Sequence, residues 1–323
     1  MSEMKRQGAK ILTAKDKRQE LIDELGKILI GKEEQITLML AAVFSGGHVL
    51  LEDLPGSGKT TLIKGLSRAM GCDFRRIQFT PDLLPSDIIG MTVYNQKDME
   101  FVLRKGPVFT NMLLADELNR AIPRTQSALL EAMEERQVTI DGETLELPAP
   151  FFVMATQNPM EKESTFPLPA AQMDRFFVRM SMGYPDQEEE VAMLSQSGSG
   201  IPFESIKEVL NRDELNAIRR EIEKVHVSDE VRQYLVELVH RTRNSEKIEN
   251  GASPRASKAL YQGSRAWAAM QGRDYVIPDD VQALAVPVLA HRITLKSRMK
   301  HSGTAAETVI REILEETPVI REK

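Results

Sequence analysis

Hydrophobic positions along the chain change in character near residue 184. Before that point, short and nearly all-apolar runs alternate with segments of helical spacing; the runs are HVLLED, DFRRIQF, NMLLADE, FFVMATQN and FFVRMSMGY. Strands that are apolar on both faces and alternate with helices indicate a parallel sheet covered by helices on both sides. The first part of the chain is therefore predicted to be an α/β domain.

Helical spacing dominates the two ends of the chain. Residues 16–30 space their apolar positions by three and four, and a second helical stretch, EQITLMLAAVFSGG, precedes the first apolar run. After 184, helical periods recur at about 186–196, 212–224, 228–243, 254–271 and 278–292, with no run typical of a strand. We therefore predict two domains: 1–184, an αβα core with N-terminal helices, and 185–323, a smaller all-helical domain.

Two segments interrupt the alternation of runs and helices. Residues 92–106 and 137–147 each have the pattern of strand, polar turn and strand, and the second carries Asp141-Gly142 at its centre, which is typical of a tight hairpin. Hairpins inserted into an α/β core project outward. A binding surface and a structural edge hairpin both remain open for each of them.

Composition and charge exclude several classes of protein. The 323 residues include 42 Lys and Arg against 48 Asp and Glu, a net charge of −6, so the basic excess of a dedicated nucleic-acid binder is missing. No apolar run approaches the roughly 20 residues that cross a bilayer, and the N-terminus lacks the apolar core of a signal peptide. The single cysteine, Cys72, suits a reducing compartment. We expect a cytoplasmic protein that does not insert into a membrane, and the charge balance disfavours nucleic acid as its partner.

The segment HVLLEDLPGSGKTTLIKGL has the order strand, glycine-rich turn and helix that makes a phosphate-binding loop credible. The candidate nucleotide-binding residues are Pro55, Gly56, Ser57, Gly58, Lys59, Thr60 and Thr61. Backbone amides of the glycines and the helix N-terminus would surround phosphate oxygens, Lys59 would reach the β- and γ-phosphates, and Thr60 would bind Mg²⁺. Asp53 stands where this motif has glycine, so we expect a shifted turn and a carboxylate near the phosphates.

Polar residues end two later apolar runs. In NMLLADE, Asp116 would hold the Mg²⁺ through its water shell, and Glu117 would orient and deprotonate the attacking water. In FFVMATQN, Asn158 would position that water or sense the γ-phosphate. Alone, such residues also begin helices or form turns. Downstream of a phosphate loop, the catalytic interpretation is favoured.

Two arginines complete the candidate site. Arg175, in PLPAAQMDRFF, would act as an arginine finger on the nucleotide of a neighbouring subunit; the alternative is a surface salt bridge with Asp174 or another nearby acid. Arg255, in GASPRAS, follows the N-cap Ser253 at the start of a helix, from which it would reach a phosphate across the cleft between the domains. The five histidines have no metal-binding spacing, and NQKD departs from a guanine-binding motif, which favours ATP over GTP.

Longer motifs identify a family. PGSGKTT, RIQFTPDLLPSDIIG, LLADELNRA, TQSALLEAMEERQVTIDG, ATQNP, PLPAAQMDRF and GASPRAS together resemble the MoxR family of AAA+ ATPases from about residue 20 to the end. The resemblance implies Mg²⁺-dependent ATP hydrolysis by a homo-oligomer, usually a hexameric ring, that is chaperone-like and acts with partners carrying von Willebrand factor A domains. By motif match, Asp116 and Glu117 are the Walker B pair, Asn158 is sensor 1, Arg175 is the finger and Arg255 is sensor 2.

The sequence departs from the family pattern at Asp53, at Ala170 within the usual PLPEAQ, and at Ser164, where glycine is frequent. The resemblance also assigns the hairpins 92–106 and 137–147 to the helix-2 insert and the pre-sensor-1 insert. Two alternatives to the hydrolytic machine stay open. One is a nucleotide-gated scaffold with little hydrolysis, and the other is a nucleic-acid-remodelling AAA+ motor, which the acidic balance disfavours.

Overall fold

A five-stranded parallel sheet forms the centre of the molecule in a computed structural model that describes residues 13–53, 56–158, 165–196 and 203–319. Its strand order is β2-β5-β8-β1-β9, and every neighbouring pair is parallel. The strands are β1 (Val49–Glu52), β2 (Phe74–Gln78), β5 (Met112–Asp116), β8 (Phe152–Gln157) and β9 (Val178–Met180). Each coincides with one of the apolar runs, so the predicted α/β core is confirmed.

The two faces of the sheet are buried in two separate hydrophobic clusters. Leu50 of β1 and Leu113 of β5 face one cluster, while their chain neighbours Leu51 and Leu114 face the other. Successive side chains of a strand point to opposite faces, so a strand buried on both faces must be apolar at every position. This double burial explains why the runs of the inner strands β1, β5 and β8 do not alternate, whereas the edge strand β2 has the exposed residues Arg75, Arg76 and Gln78.

Helices cover both faces of the sheet and form most of the C-terminal region. The longer ones are α1 (Ala14–Gly26), α2 (Glu33–Phe44), α3 (Lys59–Ala69), α5 (Pro123–Glu135), α7 (Gln187–Gln196), α8 (Arg212–Ile222), α9 (Asp229–Asn244), α10 (Pro254–Met270), α11 (Pro278–Leu289) and α13 (Ala306–Glu316). Short ones are α4 (Pro85–Ile89), α6 (Ala170–Met173) and α12 (Ser297–His301). Among the residues described, no helix is both long and apolar enough to span a membrane.

Both predicted hairpins are present. The first pairs β3 (Gly90–Asn95) with β4 (Glu100–Lys105), and the second pairs β6 (Gln137–Ile140) with β7 (Glu143–Glu146). Asp141 and Gly142 form the second turn with φ of +50° and +86°, values that match a tight two-residue hairpin turn. The two strands of the second hairpin therefore end where Asp141 and Gly142 predict a turn.

The C-terminal region contains β pairing that the all-helical prediction did not include, and His226 forms an isolated bridge with Tyr275. Ile248–Asn250 (β10) pairs with Thr294–Leu295 (β11) in a small antiparallel sheet. The second strand has only two residues, too few for a period of two to show in the sequence. Helix α13 also lies beyond the last period that was predicted. The division at 184 itself stays a prediction. Helices α1 and α2, which precede it, contact α10, which follows it, so the two parts of the chain pack against each other.

Candidate active site

A cavity of about 440 Å³ lies where β1 ends and α3 begins. It is lined by Asp53, Gly56, Ser57, Gly58, Lys59, Thr60, Thr61, Arg76, Gln78, Asp116, Glu117, Thr156 and Asn158. Parallel strands end at one edge of the sheet, which is why residues from four segments of the sequence meet here. All predicted loop and strand-end residues line this cavity except Pro55, which lies outside the described residues, as does Ser164.

The described part of the loop before α3, residues 56–58, has features that suit a bound phosphate. Gly56 and Gly58 adopt φ of +86° and +83°, and a Cβ at Gly56 would project into open space. The hydroxyl of Ser57 is buried and has no hydrogen-bond partner among the described residues. Helix α3 begins at Lys59 and has no side-chain cap, so the first amides of the helix remain available for an anion. These features fit the phosphates of a nucleotide.

Asp53 does not use its carboxylate as the sequence suggests. The side chain is only 6% exposed. One oxygen accepts from the Ser181 hydroxyl at 2.6 Å and the other from the amide of Met182 at 2.6 Å, while the amide of Gly183 donates at 3.3 Å. The ammonium of Lys59 donates instead to the backbone carbonyl of Asp53 at 3.2 Å. The carboxylate therefore ties the phosphate loop to the segment that follows β9.

Replacing Asp53 should destabilise the protein, even with the glycine that the motif prefers. Because three donors would lose an anionic acceptor in a buried place, we expect Asp53→Asn to lower the free energy of unfolding by about 1–3 kcal/mol. Asp53→Gly should lower it at least as much. Urea denaturation measures this effect, with Asp274→Asn as the control at an exposed aspartate. Stabilities equal to that of the control would contradict the structural role of Asp53.

Glu52, the neighbour of Asp53, connects this edge of the sheet to the C-terminal region. Its carboxylate lies 3.2 Å from Arg179 of β9, and Arg179 also pairs with Glu307 of α13. Burial raises the pKa of Glu52, and the charge of Arg179 partly offsets this. The end of β1 is thus held by contacts to β9 and to the last helix.

The acidic pair is held by polar residues of the flanking strands. Asp116 accepts a hydrogen bond from the Thr156 hydroxyl at 2.6 Å and pairs with Arg76 at 2.6 Å. The Glu117 side chain accepts from Gln78 at 2.7 Å and from Arg120 at 3.0 Å. The backbone of Glu117 has φ of +57°, a left-handed conformation that is rare for a residue other than glycine. Glu117 therefore occupies a fixed and unusual position beside the phosphate loop.

No group of three or more His, Cys, Asp or Glu side chains that could hold a metal occurs in the described residues. Magnesium that accompanies a nucleotide keeps several waters and takes few protein ligands besides the phosphates. One carboxylate, Asp116, and one hydroxyl, Thr60, line the same cavity and suit that role. The residues present therefore fit Mg²⁺ bound together with a nucleotide.

The sequence did not single out Arg76, Gln78 and Thr156. Arg76 and Gln78 lie on β2, an edge strand on which they alternate with the buried Ile77. Both side chains lie on one face of β2, which pairs with β5, and this spacing by two was the sequence signal that could have placed them near Asp116. Thr156 lies near the end of β8, and the buried Asn158 directly follows that strand.

The two arginines do not join this cavity. Arg175 and Arg255 line a second cavity, of about 220 Å³, together with Gly46, Gly47 and His48, which precede β1. The four residues of β1 span about 13 Å, so this second cavity lies at the opposite edge of the sheet. Arg175 pairs with Glu134 at 3.0 Å, and Arg255 pairs with the other oxygen of Glu134.

The position of Arg255 differs from the prediction that it reaches the phosphate across the interdomain cleft. The start of α10 is held at the amino ends of the strands, because Ser253 donates to Asp174 at 2.8 Å and Arg292 pairs with Asp174 at 2.8 Å. This packing turns Arg255 away from the phosphate loop of its own chain. No local sequence pattern specifies on which edge of the sheet the C-terminal helices pack.

His48, in the wall of the second cavity, is structural. Its Nε2 lies 3.1 Å from the carbonyl of Met133, and its Nδ1 accepts from the amide of Val153 at 3.0 Å. Burial lowers the pKa of His48 to about 3, with a further contribution from the charge of Arg136. The ring therefore stays neutral near pH 7, as its two bonds to the backbone require.

Two family models match the chain. The model described as "ATPase family associated with various cellular activities (AAA)" matches residues 48–178, which contain β1, β2, β5 and β8 of the sheet and the phosphate loop. The model described as "AAA lid domain" matches residues 240–313, within the helical region.

Proteins of known sequence and structure resemble the chain over most of its length. "Uncharacterized protein YeaC" of Bacillus subtilis is 48% identical and covers 91% of this chain and 92% of its own length. "Chaperone MoxR1" of Mycobacterium tuberculosis is 42% identical over 91% of this chain and 80% of its own. "Protein MoxR" of Paracoccus denitrificans is 31% identical over 84% and 86%. The crystal structure of a putative ATPase from Cytophaga hutchinsonii superposes with a TM-score of 0.89 at 41% identity, covering 95% of this chain and 96% of its own.

Proposed function

The chain belongs to the MoxR family of AAA+ ATPases, and on that premise we propose that it hydrolyses ATP with Mg²⁺ at sites completed between neighbouring subunits of a ring. One observation supports this most directly. The phosphate loop, Asp116 and Glu117 lie at one edge of the sheet, while the candidate finger Arg175 lies at the other. A chain with this arrangement offers one half of a site at each edge.

The residues of the first cavity would divide the chemistry among them. The loop amides and Lys59 would bind the phosphates, while Thr60 and Asp116 would hold Mg²⁺, which neutralises charge on the phosphate oxygens. Glu117 would accept the proton of the attacking water, and Asn158 would orient that water. Gln78 and Arg120 would keep the Glu117 carboxylate in place, since both donate to it.

The residues of the second cavity would act on another subunit. Arg175 and Arg255 lie at the opposite ends of the strands from the phosphate loop of their own chain. We therefore assign both to the nucleotide of a neighbour. A head-to-tail interface of this kind closes into a ring when its rotation permits. We propose a homo-oligomeric ring, with a hexamer as the expected form.

The ring would act as a chaperone-like machine on a protein partner, which we expect to carry a von Willebrand factor A domain. The hairpin of β3 and β4 supports a contact surface for a protein: Met99 and Phe101 are 76% and 74% exposed, and large exposed apolar side chains on a projecting hairpin are typical of interaction sites. We propose the cytoplasm as its location, where the single cysteine would stay reduced.

ATPase activity per chain, measured with Mg²⁺ while the protein concentration is raised, tests the proposal. We expect the activity per chain to rise and then saturate, because sites that two subunits share exist only after association. Activity that is independent of concentration would contradict sites shared between subunits. Bound nucleotide without turnover at any concentration would favour the nucleotide-gated scaffold.

A further inference from the structure

A single carboxylate holds both candidate trans-acting arginines. Glu134, near the end of α5, lies 3.0 Å from the Nε of Arg175 through one oxygen and pairs with Arg255 through the other. The contact with Arg175 is an ion pair without hydrogen-bond geometry, because this Nε has no hydrogen-bond partner among the described residues. Arg175 follows α6 of the core, and Arg255 belongs to the first turn of α10. Glu134 thus brings together two cations from distant parts of the chain.

The neighbouring charges of this surface have other partners. Asp174 accepts from Arg292 and Ser253, and Arg136 donates to the backbone carbonyls of Phe151 and Gly46. Glu134 is therefore the carboxylate that serves Arg175 and Arg255. Its contacts are set apart from the bonds that hold α10 to the core.

The charges around Glu134 are not balanced. Lys258, one turn after Arg255 on α10, lines the same cavity of about 220 Å³. The same cavity is lined by two carboxylates, Glu134 and Asp174, and by five cations, Arg136, Arg175, Arg255, Lys258 and Arg292, which leaves an excess of three positive charges. The side chains of Arg175 and Arg255 are 30% and 52% exposed. Ion pairs so open to water are weak, so another anion can replace the carboxylate.

We propose that Glu134 is an internal substitute for a phosphate group, which holds Arg175 and Arg255 side by side until a second copy of this chain presents its bound nucleotide. Guanidinium groups bind carboxylate and phosphate oxygens in the same forked geometry, and a terminal phosphate carries more charge than a carboxylate. Docking of a neighbour then exchanges one anion for the other. Glu134 is a positioning residue, and its role rests on the function proposed above.

The exchange and a purely structural role of Glu134 predict opposite changes in the association of the chains when Glu134 is replaced. In Glu134→Gln, Arg175 and Arg255 no longer have to break ion pairs before they bind a neighbour's phosphate. Nucleotide-dependent association of the chains should therefore become tighter. We expect the midpoint concentration of association to fall roughly fivefold, the scale of partly exposed ion pairs. If Glu134 served only to clamp α10 to the core, its loss would weaken association or leave it unchanged.

Sedimentation velocity with Mg²⁺ and the β,γ-imido analogue of ATP measures the midpoint without turnover. Glu135→Gln is the matched control, because this neighbouring glutamate is also exposed at the end of α5. Glu134→Asp, which keeps the charge but shortens the side chain, should lie between the wild type and Glu134→Gln.

Each outcome decides a different claim. A wild type that associates with the nucleotide, together with a Glu134→Gln midpoint that is unchanged, raised or equal to that of Glu135→Gln, overturns the role of Glu134 and leaves the proposed function standing. A wild type that binds a fluorescent ATP analogue but never associates overturns both. A Glu134→Gln midpoint below that of the wild type and the control supports the exchange.

Discussion

Glu117→Gln should bind ATP with nearly unchanged affinity and turn it over about 100- to 10,000-fold more slowly. The amide keeps the size of the side chain but cannot accept a proton from water, and the phosphate loop is untouched. Phosphate release under saturating ATP measures turnover, and a fluorescent ATP analogue measures binding. The matched control is Glu131→Gln, an exposed glutamate of α5 outside both cavities.

Two results would contradict this role for Glu117. Turnover equal to that of the wild type would remove Glu117 as the base. Loss of ATP binding would show that Glu117, held by Gln78 and Arg120, supports the phosphate-binding loop and does not act on the attacking water.

Arg175→Ala should lower turnover by about 1,000-fold or more, the effect of removing an arginine finger, while ATP binding to the separate chain stays intact. The sharper test mixes Arg175→Ala with Glu117→Gln, two variants that are each nearly inactive. If Arg175 acts across the interface, a site in the Arg175→Ala chain recovers whenever its neighbour is the Glu117→Gln chain. Random equal mixing gives such pairs at about a quarter of the head-to-tail interfaces.

The mixing experiment separates action in trans from action in cis. If Arg175 served its own nucleotide, every chain in the mixture would carry one defect and no activity would return. Arg124→Ala, at an exposed arginine of α5 outside both cavities, is the control for general effects of charge removal. It should keep the wild-type rate alone and in mixtures.

The features that the sequence predicted are those that local chemistry specifies. Double burial makes the core strands continuous apolar runs, Asp141-Gly142 determines a hairpin turn, and the glycines of the phosphate loop mark backbone that must approach a ligand closely. The strand ends at Asp116 and Asn158 followed from the rule that parallel strands finish at one edge. Each of these inferences needs only a short window of sequence.

The features that the sequence did not predict depend on contacts between distant segments. Asp53 looked like a flaw in a motif, yet its partners lie about 130 residues away at Ser181, Met182 and Gly183. Arg76 belongs to no motif, and its meeting with Asp116 depends on the pairing of β2 with β5. The direction of Arg255 depends on which edge of the sheet receives α10. The partners of these three residues are determined by tertiary packing, which the spacing of hydrophobic residues in the sequence does not specify.

The larger hydrophobic cluster has a mechanical consequence. It runs without a break from Leu51 of β1 and Phe44 of α2 to Leu260 of α10 and Ile310 of α13. A close-packed interior resists continuous deformation, so this packing favours joint movement of the C-terminal helices and this face of the sheet. The shared core opposes bending at the division predicted near residue 184. In the proposed ring, movement driven by the nucleotide would then occur mainly at the contacts between neighbouring subunits.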